Sequence, residues 1–352
     1  MKYVRLSGRI LINAASLNTQ GAAGTNYVEL TKVPVVLRGP DGSYILREVP
    51  AISGNMVKRY HFVGVIDFLR KTPFKNNLTE YGARYVAYRF PEREKSAKKP
   101  DGSSVDLSKG ESMIIREFAD ADLHGYLVPV ADIQSRRESI CKFSFLLPVE
   151  EAILAESYGV EAVTHNRVIL DEEGRIVGRE TAAKAGAMMI FKRQYTSAPF
   201  GFSIILDLAL TGVPLANPLK GSQIPEDERK IRSKAAVIAL LNLLTGNTGA
   251  NTSRAFPAEK VEELIAVASV NPIPPLVHGF YKDYAEQSAN NLKHYMELTG
   301  ETEGIRVFIY ARNPSRVREL TKLFSDAVGE DAVKLSDSPV GLIGSLANYV
   351  IE

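Results

Sequence analysis

Apolar and polar residues alternate from Tyr3 to Ile12, with Val4, Leu6, Ile10 and Ile12 on one face and Arg5, Ser7 and Arg9 on the other, which predicts a half-buried β-strand. Two more extended runs, Val28 to Leu37 and Tyr44 to Val49, flank Gly39-Pro40-Asp41-Gly42, whose turn residues predict a hairpin. After Pro50 the period lengthens: Met56, Val57, Tyr60, Val63, Ile66 and Leu69 recur near helical spacing behind Ser53, a side chain suited to capping a helix start. Thr72 to Asn77 reads as a loop. Residues 89–109, rich in Lys, Glu, Ser, Pro and Gly, read as a long mobile insertion. Met113 to Phe118 is compatible with a helix, and Asp120, Asp122 and His124 alternate as on one strand face, where local hydrogen bonding is favoured over a metal.

Ile140 to Leu147 predicts a second core strand, closed by Pro148, and Val149 to Tyr158 a short helix. An excursion follows through Thr164-His165-Asn166-Arg167, the turn Asp171-Glu172-Glu173-Gly174 and the apolar run Met188-Met189-Ile190-Phe191, until Phe200 to Leu210 returns as a strand. Pro225-Glu226-Asp227-Glu228 opens a helix whose stripe of Ile231, Ala235, Ile238, Leu241 and Leu244 ends at Gly246. Val261 to Val270 is a strand broken by Asn271-Pro272-Ile273-Pro274-Pro275, and beyond it lie a helix from Tyr281 to Leu298, a strand from Ile305 to Tyr310, a helix from Pro314 to Val328 and a last segment from Leu335 to Ile351. Without the excursions the order is strand, helix, strand, strand, helix, strand. That is an α+β arrangement in the ferredoxin-like, RNA-recognition-motif order.

Composition narrows the function classes. The 352-residue chain is 45% hydrophobic, enough for a large core, and its 43 basic and 41 acidic residues leave a net charge of only +2, so a nucleic-acid surface would have to be a local patch. The lone Cys141 excludes an internal disulfide, and five scattered histidines give no zinc spacing. No cofactor or metal site is expected. The first residues do not read as a signal peptide and no apolar run spans a bilayer, so a cytoplasmic protein without membrane contact is expected.

The chemistry centres on the predicted helix start at Ser53. Free first-turn N–H groups and the dipole favour an anion there, with Lys58 and Arg59 one turn in. Two small, polar loops, residues 13–26 and 246–254, suit close approach of a backbone to a ligand. Neither GxxxxGK[ST] nor GxGxxG occurs in the second, and the predicted strands lack the aromatic motifs of an ordinary RNA-recognition motif. Any RNA contact then falls to loops and helix starts.

The phrases Ser16-Leu17-Asn18, Ile52-Ser53-Gly54-Asn55 with Lys58 ahead, Arg136-Arg137-x-Ser139, His165-x-Arg167-Val168 and Gly249-Ala250-Asn251-x-Ser253-Arg254-x-x-Pro257 together resemble the CRISPR-associated protein seven family of the RAMP superfamily. The nearest likeness is to the guide-RNA-binding backbone subunit of the type I-A Cascade complex, and it extends to about His278-Gly279-Phe280.

The resemblance implies a discontinuous RNA-recognition-motif-like palm (1–60, 134–148 and 196–270), a helical finger-type insertion (61–133), a thumb hairpin (149–195) and a C-terminal extension (271–352). It implies a guide crRNA, further copies of the chain in a filament, other Cascade subunits, and target DNA reached through the guide as partners. Asn13, Ser16, Asn18, Ser53, Asn55, Lys58, Arg59, Arg136, Arg137, His165, Arg167, Asn251, Ser253 and Arg254 become candidate RNA-binding residues, with His61 and Met188 added as neighbours. Gripping that ignores base identity suits such a subunit, because the guide must stay free to pair.

Two rivals stand beside this reading. One is a metal-independent processing ribonuclease of the same superfamily using His61 or His165 as acid or base; the other is a small-molecule phosphate-binding enzyme. Residues 13–27 contain no Asp or Glu, so the loop after the first strand offers no catalytic carboxylate, and no catalytic residue is assigned.

Overall fold

The computed structural model describes the chain apart from residues 1, 23–26, 91–93, 131–133, 166–170, 176, 178–190, 247–251, 254 and 302–303, and apart from the side chains of 20–22, 165 and 191. The first strand, β1 (Tyr3–Ala15), is followed by β2 (Thr19–Ala22), β3 (Tyr27–Leu30) and the hairpin β4 (Lys32–Arg38) and β5 (Tyr44–Pro50), which pairs around the expected turn. Helix α1 (Gly54–Leu69) starts as the sequence predicts: Ser53 is extended, and its hydroxyl accepts from the Met56 N–H at 3.3 Å.

The insertion that follows holds α2 (Glu80–Ala83), the small hairpin β6 (Ser96–Lys98) and β7 (Ser104–Asp106), α3 (Glu111–Glu117), α4 (Ala119–His124), β8 (Tyr126–Val128) and β9 (Ser135–Arg137). Two expectations are corrected here. The described part of 89–109 is no loose loop, because Phe90, Ala97, Val105 and Leu107 pack with Ile114, Ile115, Phe118, Tyr126 and Val128 into a core of their own. Asp120, Asp122 and His124 sit on a helix with every side chain of α4 buried, so their alternate spacing carried no strand signal. The local hydrogen bonding expected of them is present: Asp120 accepts from Thr79 N at 3.1 Å and from Thr79 Oγ1 at 2.6 Å.

The second core strand is split into β10 (Cys141–Phe143) and β11 (Leu147–Pro148), because Leu146 turns away to bridge Ile52 at the foot of α1. Then come α5 (Glu150–Leu154), β12 (Gly159–His165), the long β13 (Phe191–Asp207), α6 (Glu226–Ile238), α7 (Leu241–Leu244) and β14 (Ala258–Ser269). The chain closes with α8 (Tyr284–Thr299), β15 (Arg306–Ala311), α9 (Pro314–Val328), β16 (Val333–Leu335) and α10 (Pro339–Ile351).

The main sheet runs β16-β15-β14-β1-β13-β3-β2, with β10, β11 and β12 also pairing β13. β1 is central and antiparallel to both β13 and β14. Its inward side chains Val4, Leu6, Ile10 and Ile12 are fully buried with Val65, Ile66 and Leu69 of α1 and Ala235 and Ala236 of α6. The opposite face, expected to be wet, is covered. A strap spanning residues 271–283 lies across it, held by Arg5 Nε to Ile273 O (2.9 Å), Ser7 Oγ to Val277 O (2.8 Å) and Arg9 Nε to Gly279 O (2.9 Å). The strap needs glycine at its crossing: a Cβ on Gly279 would stand 2.3 Å from Gly8 O, and one on Gly201 would stand 2.2 Å from Gly279 C. α8 and α9 form a second core beyond the strap with Ile265, Val267, Val307 and Ile309. Among the described residues no helix is long and apolar enough to cross a membrane.

Candidate nucleic-acid interface

The start of α1 is set close against β10. A Cβ on Gly54 would meet Phe143 O at 2.4 Å, so glycine is what lets the helix end approach this strand. Asn18 Oδ1 accepts from the Ser53 N–H at 2.8 Å, its amide donates to Thr31 Oγ1, and Ser53 in turn caps Met56. The next N–H groups, on Gly54 and Asn55, have no intrahelical acceptor to reach, and the positive end of a 16-residue helix stands behind them.

In front of this helix start is an open pocket of about 310 Å³ lined by Ser53, Asn55, Lys58, Glu138, Ser139 and Lys142, with Phe143 and the half-exposed Phe145 as its apolar wall. Burial, and then the nearby Arg89, pull the Lys58 ammonium down to about 8. A cation held against both effects is suited to an anion that would offset them. Glu138 also lines a larger pocket of about 970 Å³, which carries Arg136 and shares Leu127, Gln134 and Arg136 with a third. The first two pockets therefore adjoin at Glu138, and the last two along Leu127, Gln134 and Arg136. They form a trough from the α1 start along residues 134–142 to the inserted unit.

Of the predicted residues, Ser53, Asn55, Lys58 and Arg136 line the trough, and Arg137 also borders it although its side chain is buried. Arg59 is one residue round the helix from Lys58 and leaves the trough, its guanidinium 5.8 Å from the Phe62 ring centroid. Asn13 lies on β1 opposite Ala258, and Ser253 is exposed; neither is among the residues lining the trough. Ser16 is fully buried and accepts from Arg193 Nη1 at 3.3 Å, while Asn18 acts through Ser53. Arg167, Met188, Asn251 and Arg254 lie outside the described residues, as does the His165 side chain at the end of β12.

Two predicted contacts are corrected. Arg137 is buried and points away from its neighbour Arg136, donating to Glu111 Oε1 (2.7 Å), Asp122 Oδ1 (2.8 Å) and the carbonyls of Asp122, Leu210 and Val213. Arg232 completes the cluster, bonding Asp122 Oδ2 at 3.0 Å and Glu228. His61 is 2% exposed: its Nε2 donates to Ala236 O (2.8 Å), and its Nδ1 accepts from His124 Nε2 (2.9 Å). With Ala236 O as acceptor, this tautomer chain leaves both rings neutral. Burial pushes His61 down to about 4 and His124 well below its usual value. Both rings are core side chains, out of reach of a ligand.

Sequence reasoning passed over Lys142. It is the lone charge in the run Ile140 to Leu147, and in a strand whose neighbours Cys141 and Ile140 are buried, such a charge marks an open face.

The family described as "DevR: CRISPR-associated negative auto-regulator DevR/Csa2" matches residues 6–289. A protein of Methanocaldococcus jannaschii named "CRISPR-associated protein Cas7/Cst2/DevR" is 48% identical over 320 residues, covering 90% of this chain and 97% of that protein. One of the same name from Thermoproteus tenax is 34% identical, covering 85% and 84%. "CRISPR-associated aCascade subunit Cas7/Csa2 2" of Saccharolobus solfataricus is 27% identical, covering 76% and 80%. A chain of a solved "CRISPR RNA-guided surveillance complex" aligns over 99% of both chains with a TM-score of 0.48 and 13% identity. With the match to residues 6–289 and the 48% identity, the chain belongs to the CRISPR-associated DevR/Csa2 family, whose relatives carry the Cas7 name.

Proposed function

We propose that this chain is the guide-RNA-binding backbone subunit of a type I-A interference complex, which polymerises along the crRNA in the cytoplasm and reaches target DNA through the guide. The observation that carries the reading is the trough, because it joins the helix-start phrase around Ser53 and Lys58 to Arg136 of the next phrase along one continuous path. Hydroxyls, an amide, helix N–H groups and cations fit a sugar-phosphate backbone and leave base identity unread. Phe145, 42% exposed beside them, offers a ring face to a base. The name of the Saccharolobus relative, an aCascade subunit, supports the same assembly.

In this reading the order β14-β1-β13-β10, with α1 and α6 on one face, is the ferredoxin-like palm, the core around Phe90 and Phe118 is the finger, and β12 with the first half of β13 is the base of the thumb. The strap closes the sheet face on which RNA-recognition motifs lay bases, which supports displacement of RNA to the rim. A ribonuclease working through His61 is disfavoured, since both ring nitrogens are engaged inside the core. We propose that the subunit binds without cleaving.

The test is to purify the protein with its RNA and ask for guide-length RNA in an elongated multi-copy particle. Lys58→Ala should weaken single-stranded RNAs of different sequence alike and reduce the slope of log affinity against log salt by roughly 0.7. Selective loss for one base composition, or a monomeric protein free of RNA, overturns the proposal.

A further inference from the structure

Two carboxylates line the trough among the described residues: Glu111, already held by Arg137 at 2.7 Å, and the exposed Glu138. Glu138 lines both the pocket at the α1 start and the larger pocket beyond it, between Lys58 and Arg136. Its side chain is 76% exposed and its Oε1 lies 3.7 Å from Lys142 Nζ, while Asp207 Oδ2 lies at 3.7 Å from the same atom. Both separations are longer than a hydrogen bond, so Lys142 is shared between two acids and held tightly by neither. The two acids are not equivalent. Asp207 is anchored, its Oδ1 accepting from Arg5 Nη1 at 2.8 Å, whereas the ion pair of Glu138 among the described residues is the one with Lys142.

We propose that Glu138 is a displaceable counter-ion: without RNA it occupies Lys142, and an incoming phosphodiester replaces it, so that Lys142 joins Lys58 as a second cation of the pocket. This rests on the trough being the RNA path. An exposed pair at this distance is weak and readily exchanged, whereas a phosphate in the pocket is also met by the helix N-terminus and by Ser53. Swinging Glu138 out removes a negative charge from the path of a polyanion. The exchange lets RNA bind without leaving Lys142 uncompensated when RNA is gone.

The experiment measures the affinity of a guide-length single-stranded RNA for the full chain and for Glu138→Gln, Lys142→Ala, the double variant and Lys58→Ala across a salt series. Glu138→Gln should bind roughly two- to fivefold tighter, and Lys142→Ala weaker by a similar factor with a salt slope lower by roughly 0.7. The double variant should match Lys142→Ala, because the gain acts through that lysine. An unchanged Glu138→Gln overturns the proposal, and so does a gain that persists without Lys142, which marks general repulsion. Lys58→Ala separates the two levels: if it weakens RNA while Glu138→Gln does nothing, the trough stands and the counter-ion falls. If neither variant responds, both fall.

Discussion

Arg136 and Arg137 are neighbours in sequence, and truncating each to alanine should have opposite consequences. Arg137 belongs to a buried cluster in which two guanidiniums, Arg137 and Arg232, face three carboxylates, Glu111, Asp122 and Glu228. Removing it leaves one cation among three acids and takes one donor from each of two carboxylate oxygens, which keep backbone N–H partners, and from three carbonyls. Breaking a buried pair by deleting one partner costs about 3–5 kcal/mol, and five lost hydrogen bonds at about 1 kcal/mol each give the same order. Against a total stability of about 5–15 kcal/mol, Arg137→Ala removes about a fifth of the margin or more. Arg136 is exposed, so its truncation should stay within about 0.5 kcal/mol while weakening RNA. Urea unfolding at neutral pH, paired with an RNA titration of each variant, reads both effects. Arg137→Ala within about 1 kcal/mol of the unmodified protein refutes the buried cluster as a stabilising unit; an Arg136→Ala as destabilised as Arg137→Ala refutes the assignment of faces.

Three other outcomes follow from the site and its support. His61 has a folded-state value of about 4 against about 6.5 unfolded, so its contribution is complete above pH 6.5 and is lost as pH falls towards 4, amounting to about 3 kcal/mol; an unaltered slope in His61→Asn would contradict this. Because burial holds Lys58 near 8, RNA affinity should fall as pH rises from 7 to 9, and Lys58→Arg should flatten that fall; equal pH profiles would show that Lys58 does not carry the charge. Gly54→Ala must push the helix start off Phe143 O, lowering stability by about 1–3 kcal/mol and loosening RNA binding together; an unaffected protein would deny the close approach.

The elements with local signatures were readable in advance. Ser53 ahead of a helical stripe marked α1, the turn residues after Leu37 marked the β4–β5 hairpin, and the acidic, proline-led start at Pro225 marked α6. What escaped depends on distant partners. Arg5, Ser7 and Arg9 look solvent-facing by alternation alone, and only the arrival of residues 271–283 turns that face into an interior. In α4 every side chain is buried, so no amphipathic period exists to distinguish helix from strand. The doublet Arg136-Arg137 reads as one basic phrase, yet the pleat of β9 sends one side chain outward and its neighbour into the cluster. Lys58 and Arg59 part for the corresponding helical reason.

The central place of β1 has a consequence for how the chain emerges from the ribosome. Among the described residues this strand has no sheet neighbour to join until β13 appears: Ser7 waits for Phe202, 195 residues downstream, and Arg5 waits for Ile273, 268 residues downstream. At about 5–20 residues per second, the first interval alone lasts roughly 10–40 s. Throughout it an apolar strand with two unsatisfied edges is exposed to solvent and to other nascent chains. Slow translation or crowded polysomes should therefore favour aggregation of incomplete chains, and moving the amino terminus of β1 by circular permutation to follow β14 should raise soluble yield without altering the finished sheet.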